Sequence, residues 1–86
     1  MELAIDVTSP VHPYVQVANE LRDRIASGTY TDVFPSLWDI VNETRFPGEP
    51  DRRISYNTAR RAVKILRDEG LLEAVPGRGT FIRRPK

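Results

Sequence analysis

Ser55, Tyr56, Asn57 and Thr58 set four hydrogen-bonding side chains in a row, and Arg60, Arg61 and Lys64 follow close behind. Ser55 suits a helix N-cap, because its hydroxyl can accept from the free backbone N–H groups of a first turn. Beyond it, Ala59, Ala62, Val63 and Leu66 recur at the i, i+3, i+4, i+7 spacing of one apolar face. Such a helix is held by one side and leaves its first turn free. Short polar side chains there match the edges of nucleic-acid bases. Asparagine pairs bidentately with adenine, and a threonine methyl can touch the thymine methyl. Tyr56, Asn57 and Thr58 are therefore candidates for base contact. Arg60 and Lys64 are four apart and share a face, with Arg61 beside them. Arginine reads guanine or holds phosphate, whereas lysine acts on phosphate as a point charge. The same residues also suit a solvated helix start, with Ser55 a plain cap and Lys64 paired to Asp68.

Arg78 stands between Gly77 and Gly79 in "PGRG", a hairpin-turn signal. The glycines permit a tight turn and close approach to phosphate, and a narrow minor groove attracts an inserted arginine. An ordinary hairpin tip would carry the same residues. Arg45, Arg52 and Arg53 lie in "RFPGEPDRRI", where they would clamp backbone phosphate or remain solvated.

Net charge is only +1, but it is unevenly spread. Residues 1–44 hold two cations against seven acids, and residues 45–86 hold eleven cations against five acids. The second half thus suits a polyanionic partner, unless the two halves neutralise each other across the fold. The 86 residues suffice for one small domain. There is no cysteine and one histidine, His12, so no thiolate metal site and no nucleophile–base constellation can be assembled. Glu49 and Asp51 are close in sequence, but a Pro/Gly loop cannot hold them in catalytic geometry. No enzyme activity, metal or cofactor is expected. No apolar run approaches the roughly 20 residues of a membrane span, and the acidic start "MELAIDVTSP" does not suit a signal peptide. A cytoplasmic, nucleoid-associated protein is expected.

The elements that must position these residues follow from periodicity. "LAIDV" would form a short strand or an ordered arm within residues 1–12. From Pro13, the residues Tyr14, Val17, Leu21 and Ile25 form a helical stripe, with Glu20, Arg22, Asp23 and Arg24 largely outside it. Ser36 and Asp39 make a capping-box signal for a short helix ending near Thr44, with Leu37, Ile40 and Val41 as its apolar face. Trp38 is expected to be a partly buried core plug, since indole brings a large apolar area, with an exposed aromatic that packs on a sugar as the alternative. Prolines and a glycine argue against regular structure over 45–54. A third helix spans 55–69 and ends at Gly70. Two strand-like runs, 71–75 and 80–84, flank a tip at 76–79. The order is helix, short helix, loop, helix, hairpin: a mostly α winged helix-turn-helix over 13–84, with 85–86 as a tail.

"HPYVQVANELRDRIASG", "FPS", "ISYNTARRAVKILRDEGLL" and "GRGTF", taken jointly, resemble the N-terminal DNA-binding domain of GntR-family transcription regulators. The resemblance spans most of residues 12–82. It implies a homodimer on pseudo-palindromic operator DNA, with the third helix in the major groove and the wing tip in the minor groove. It also implies repression, and the family carries a C-terminal effector-binding and oligomerisation domain, so the chain is expected to be either a stand-alone form or the DNA-binding part of a longer protein. Three departures stand out. Leu37, Trp38 and Asp39 replace the family's Glu-Arg-Glu-like run, whose arginine contacts bases. Tyr56 stands where an arginine usually follows the cap. Residues 45–54 lengthen the connection between the second and third helices. The loss of the helix-two arginine and the acidic first half leave open a protein-interaction module. An accessory factor in recombination or plasmid maintenance is a further alternative.

Overall fold

Pro13 opens the first helix, α1 (Pro13–Ala26), where its fixed φ suits the first helical position and its missing N–H costs nothing. In the computed structural model, which describes residues 2–83, Val17, Ala18, Leu21 and Ile25 of α1 are buried on one side. Arg24 departs from the expected solvent side: it is only 3% exposed. Its guanidinium donates to the Tyr30 hydroxyl at 2.8 Å, to Glu20 at 3.3 Å, to Glu43 at 3.5 Å and to the Glu2 carbonyl at 3.2 Å. Burial opposes that charge, but the Tyr30 hydroxyl and the Glu43 and Glu20 carboxylates outweigh it, and the guanidinium pKa is raised. Arg22 forms a bidentate pair with Glu69 at 2.9 and 2.6 Å, tying α1 to the far end of the third helix.

The second helix, α2 (Leu37–Glu43), begins in the expected capping box. The Ser36 hydroxyl accepts from the Asp39 N–H at 3.1 Å, and the Asp39 carboxylate accepts from the Ser36 N–H at 3.3 Å. Seven residues make a marginal helix in isolation, so the cap carries much of its local stability. Ser36→Ala is expected to lower unfolding free energy by about 1 kcal/mol, read as a shift in the urea midpoint at constant slope; no shift would mean that α2 is held by packing alone.

The third helix, α3 (Tyr56–Asp68), turns Ala59, Ala62 and Leu66 fully inward and packs chiefly against α1. The two alanines let the helix axes approach closely. Val63, expected on the buried face, is only half-buried beside the core. Gly70 ends the helix with φ +81, a left-handed conformation that side chains resist. The Gly70 N–H donates to the Arg67 carbonyl and the Leu71 N–H to the Leu66 carbonyl, both at 3.0 Å, the Schellman pattern with its apolar pair Leu66 and Leu71.

Of the two forms expected for the N-terminal segment, the short strand is the one present: β1 (Leu3–Ala4) pairs in parallel with β2 (Thr44–Arg45), and Leu3 and Ile5 lie in the core of the domain rather than in a separate arm. The connection after α2 is correspondingly ordered. Phe46 and Ile54 are buried, and the Thr44 hydroxyl donates to the Val41 carbonyl at 2.7 Å while accepting the Ile54 N–H at 3.2 Å. Thr44 thereby pins both ends of the 45–54 loop.

The wing is an antiparallel pair, β3 (Leu72–Val75) and β4 (Gly79–Ile82), in register Leu72↔Ile82 and Val75↔Gly79. Residues 32–34 add a third rung: the Phe34 N–H donates to the Thr80 carbonyl at 2.9 Å and the Ile82 N–H to the Asp32 carbonyl at 2.8 Å. That rung supplies support a lone two-stranded ribbon lacks in water. The expected strand end at Arg84 and the tail at 85–86 lie outside the described residues.

Candidate nucleic-acid interface

Ser55 is committed to its cap. Its hydroxyl accepts the Thr58 N–H at 3.1 Å and shares a hydrogen bond with the Thr58 hydroxyl at 2.9 Å. Thr58 therefore turns its hydroxyl to the cap. Asn57 and Arg60 are exposed, with no side-chain hydrogen-bond partner among the described residues. Arg61 is exposed with its guanidinium 4.0 Å from the Tyr14 ring centre, a cation–π contact that steadies it against α1. Lys64 pairs with Asp68 at 2.7 Å. Both ends of that pair face solvent, so it is weak and open to exchange.

An open groove of about 520 Å³ runs between α3, the start of α2 and the wing. Arg60, Arg61, Lys64 and Arg67 lie along it on α3, opposite Pro35, Ser36 and Leu37, with Thr80 of β4 at its edge. Arg67 is an addition to the residues expected from sequence. Its signal was available, since it lies seven residues after Arg60 and so on the same helical face.

At the wing tip, the Arg78 N–H donates to the Val75 carbonyl at 3.0 Å. Pro76 and Gly77 occupy the middle of this turn, and the positive φ of Gly77, +75, makes it type II. Gly79 follows at φ +108, a conformation reserved in practice for glycine. Arg78 is left exposed at the apex.

The loop arginines stand apart from this groove. Arg52 pairs with Glu49 at 2.9 Å and lies 4.1 Å from the Phe46 ring centre. Arg53 donates to the Pro50 and Arg52 carbonyls, and Arg45 to the Thr44 carbonyl. Their positive charge remains available, but their geometry is set locally.

Trp38 contradicts the expected core role. It is 61% exposed, and its ring packs tilted against that of Tyr56 with centres 4.9 Å apart and planes at 39°. The core beneath α2 is already filled by Ile40 and Val41, two and three residues further along the helix and buried. Among the described residues, no cluster of three or more His, Asp or Glu could hold a metal ion. No described helix is long and apolar enough to cross a membrane.

No family model matches the sequence. The chain is 33% identical over 82 residues, 95% of its length, to the HTH-type transcriptional repressor NagR of Bacillus subtilis. It is also 33% identical over 81 residues, 92% of its length, to the histidine utilization repressor of Klebsiella aerogenes. It spans 31% and 30% of those two proteins respectively. Among solved structures, AraR(DBD) in complex with operator ORX1 superposes with a TM-score of 0.71 at 25% identity, covering 96% of this chain and 99% of that one. A transcriptional antiterminator from Listeria monocytogenes superposes with a TM-score of 0.75, over 95% of this chain and 57% of that one. Its identity is 20%, so it bears on the fold alone.

Proposed function

As the chain belongs, as a winged helix-turn-helix domain, to the GntR family of transcription regulators, we propose that it binds duplex DNA sequence-specifically and acts as a repressor. It is a binding domain rather than an enzyme. The observation that carries this reading is the free side of α3, where Asn57 and Arg60 face solvent with no side-chain hydrogen-bond partner among the described residues, above a helix whose other side is buried.

In this reading α3 enters the major groove. Tyr56, Asn57, Thr58 and Arg60 meet base edges, while Arg61, Lys64 and Arg67 hold phosphate on either side. Ser55 presets the first turn. The Gly77-Arg78-Gly79 tip reaches the adjacent minor groove, where an arginine gains from the focused negative potential. Arg52 and Arg53 would rest against the backbone beside α3. Two copies on a pseudo-palindrome would place half-sites about one helical turn, roughly 10 bp, apart. The protein would work on the nucleoid in the cytoplasm. A C-terminal effector-binding and oligomerisation domain would stabilise the dimer in a longer form of the chain.

Selection of bound sites from a random duplex pool tests the reading directly, since it reports binding, preference and half-site symmetry together. Recovered duplexes are expected to lose affinity with salt at a log–log slope of roughly −4 to −5 if about five phosphates are neutralised. An unenriched pool and a flat salt profile would sink it.

A further inference from the structure

Trp38 has no part in the contacts assigned so far, and Tyr56 has been assigned one only through its hydroxyl, so the exposed faces of this ring pair are left unused. Trp38 is the second residue of α2 and Tyr56 the first of α3, so the two helix starts meet through these rings. Neither ring is hidden: Trp38 is 61% exposed and Tyr56 39%. Tyr56, Arg60 and Lys64 recur every four residues and so form one row down α3. Leu37, next to Trp38 in the chain, and Arg60, one turn after Tyr56, both line the cationic groove. The rings themselves do not line it, but they adjoin residues that do.

Their chemistry narrows the occupant. An aromatic face is negative and does not attract phosphate oxygens. Indole offers one N–H donor and no acceptor, so it is poorly suited to bidentate base pairing. An apolar surface set at the end of a cationic row needs an apolar feature within a polyanionic ligand. In the major groove that feature is the pyrimidine 5-methyl group, carried by thymine. Resting on the reading that α3 enters duplex DNA, we propose that the Trp38–Tyr56 pair is a specificity element for a pyrimidine 5-methyl group, selecting thymine at one position of each half-site. Trp38 is the approach surface, and Tyr56 holds the indole in place by tilted ring contact.

The test uses a duplex recovered by selection from a random pool, resynthesised with deoxyuridine in place of thymidine one position at a time. Deoxyuridine keeps every hydrogen bond and removes only the methyl group. One position per half-site is expected to lose about fourfold in affinity, the worth of one buried methyl group. Trp38→Ala should bind thymine and uracil versions of that site equally while melting like the wild type. Thr58→Ser should retain the difference, which separates the ring pair from the Thr58 methyl. Trp38 is the chain's single tryptophan, so its fluorescence should change on adding the thymine duplex. Indifference to uracil at every position, or a thymine preference that survives in both Trp38→Ala and Tyr56→Ala, overturns the inference while DNA binding stands. A chain that enriches no duplex overturns the DNA-binding reading and this inference with it.

Discussion

Replacing Arg60 and Arg78 together by alanine is expected to weaken binding to a selected duplex on the order of 100-fold while leaving the melting temperature unchanged. An arginine that reads guanine bidentately is worth about 1–3 kcal/mol, and a second inserted in the minor groove adds a similar electrostatic share. Roughly 3 kcal/mol in total corresponds to about two decades in affinity. Stability should not follow, because both side chains are exposed and neither has a hydrogen-bond partner among the described residues. The single variants should fail differently. Arg60→Ala should relax preference at one position of the selected site. Arg78→Ala should weaken binding most where the flanking minor groove is A/T-rich and narrow. Fluorescence anisotropy at fixed salt reads all three. If the double variant binds like the wild type, α3 and the wing tip are the wrong surface. If it melts early, the comparison says nothing specific about DNA and the exposure of Arg60 is misassigned.

Where local chemistry decides structure, the residues announced it. Ser55 capping α3, the Ser36–Asp39 box, Gly70 after α3 and the glycine-flanked tip each depend on neighbours within a few residues. The exposed and buried sides of α3 were legible for the same reason, since a helical face follows from spacing alone. Failures arise where the deciding partner is distant in the chain. Leu3 and Ile5 alternate like a strand, but nothing near them reveals that the backbone partner is Thr44–Arg45. Asp32–Phe34 joins the wing through backbone groups, which carry no sequence signature. Trp38 illustrates a different limit. Apolar area predicts burial only when the core has room, and here Ile40 and Val41 already face it while the Tyr56 ring offers a contact outside. Arg67 shares a helical face with Arg60, and Arg24, which the spacing of the stripe sets largely outside it, is buried because four acceptors close around its guanidinium.

Arg24 is also where the frame behind the interface is most vulnerable. Arg24→Ala is expected to cost about 3 kcal/mol of unfolding free energy, the low end for breaking a buried charged network. Three effects combine. The aliphatic stem is lost from a site 3% exposed. The Tyr30 hydroxyl and the Glu2 carbonyl lose their donor. Glu20 and Glu43 keep their charges without the cation, although both remain partly open to water, which limits the penalty. In a domain of this size each kcal/mol moves the melting temperature by about 4–8 °C, so a drop of roughly 12–24 °C is expected. Arg24→Lys should recover part of it, since one ammonium can serve some acceptors but cannot span four. The network joins α1 to the start of the chain through Glu2, to the end of α2 through Glu43, and to the approach to the wing through Tyr30, whose ring packs edge-on against Phe34 at 5.4 Å. Those are the segments that fix α2 and the wing on either side of α3. DNA affinity in Arg24→Ala should therefore fall mainly as the fraction folded falls, and should recover on cooling, unlike the temperature-independent deficit expected of Arg60→Ala. A melting shift of only a few degrees would mean that the buried guanidinium is no more than a tolerated guest, and that apolar packing alone sets the geometry of the reading head.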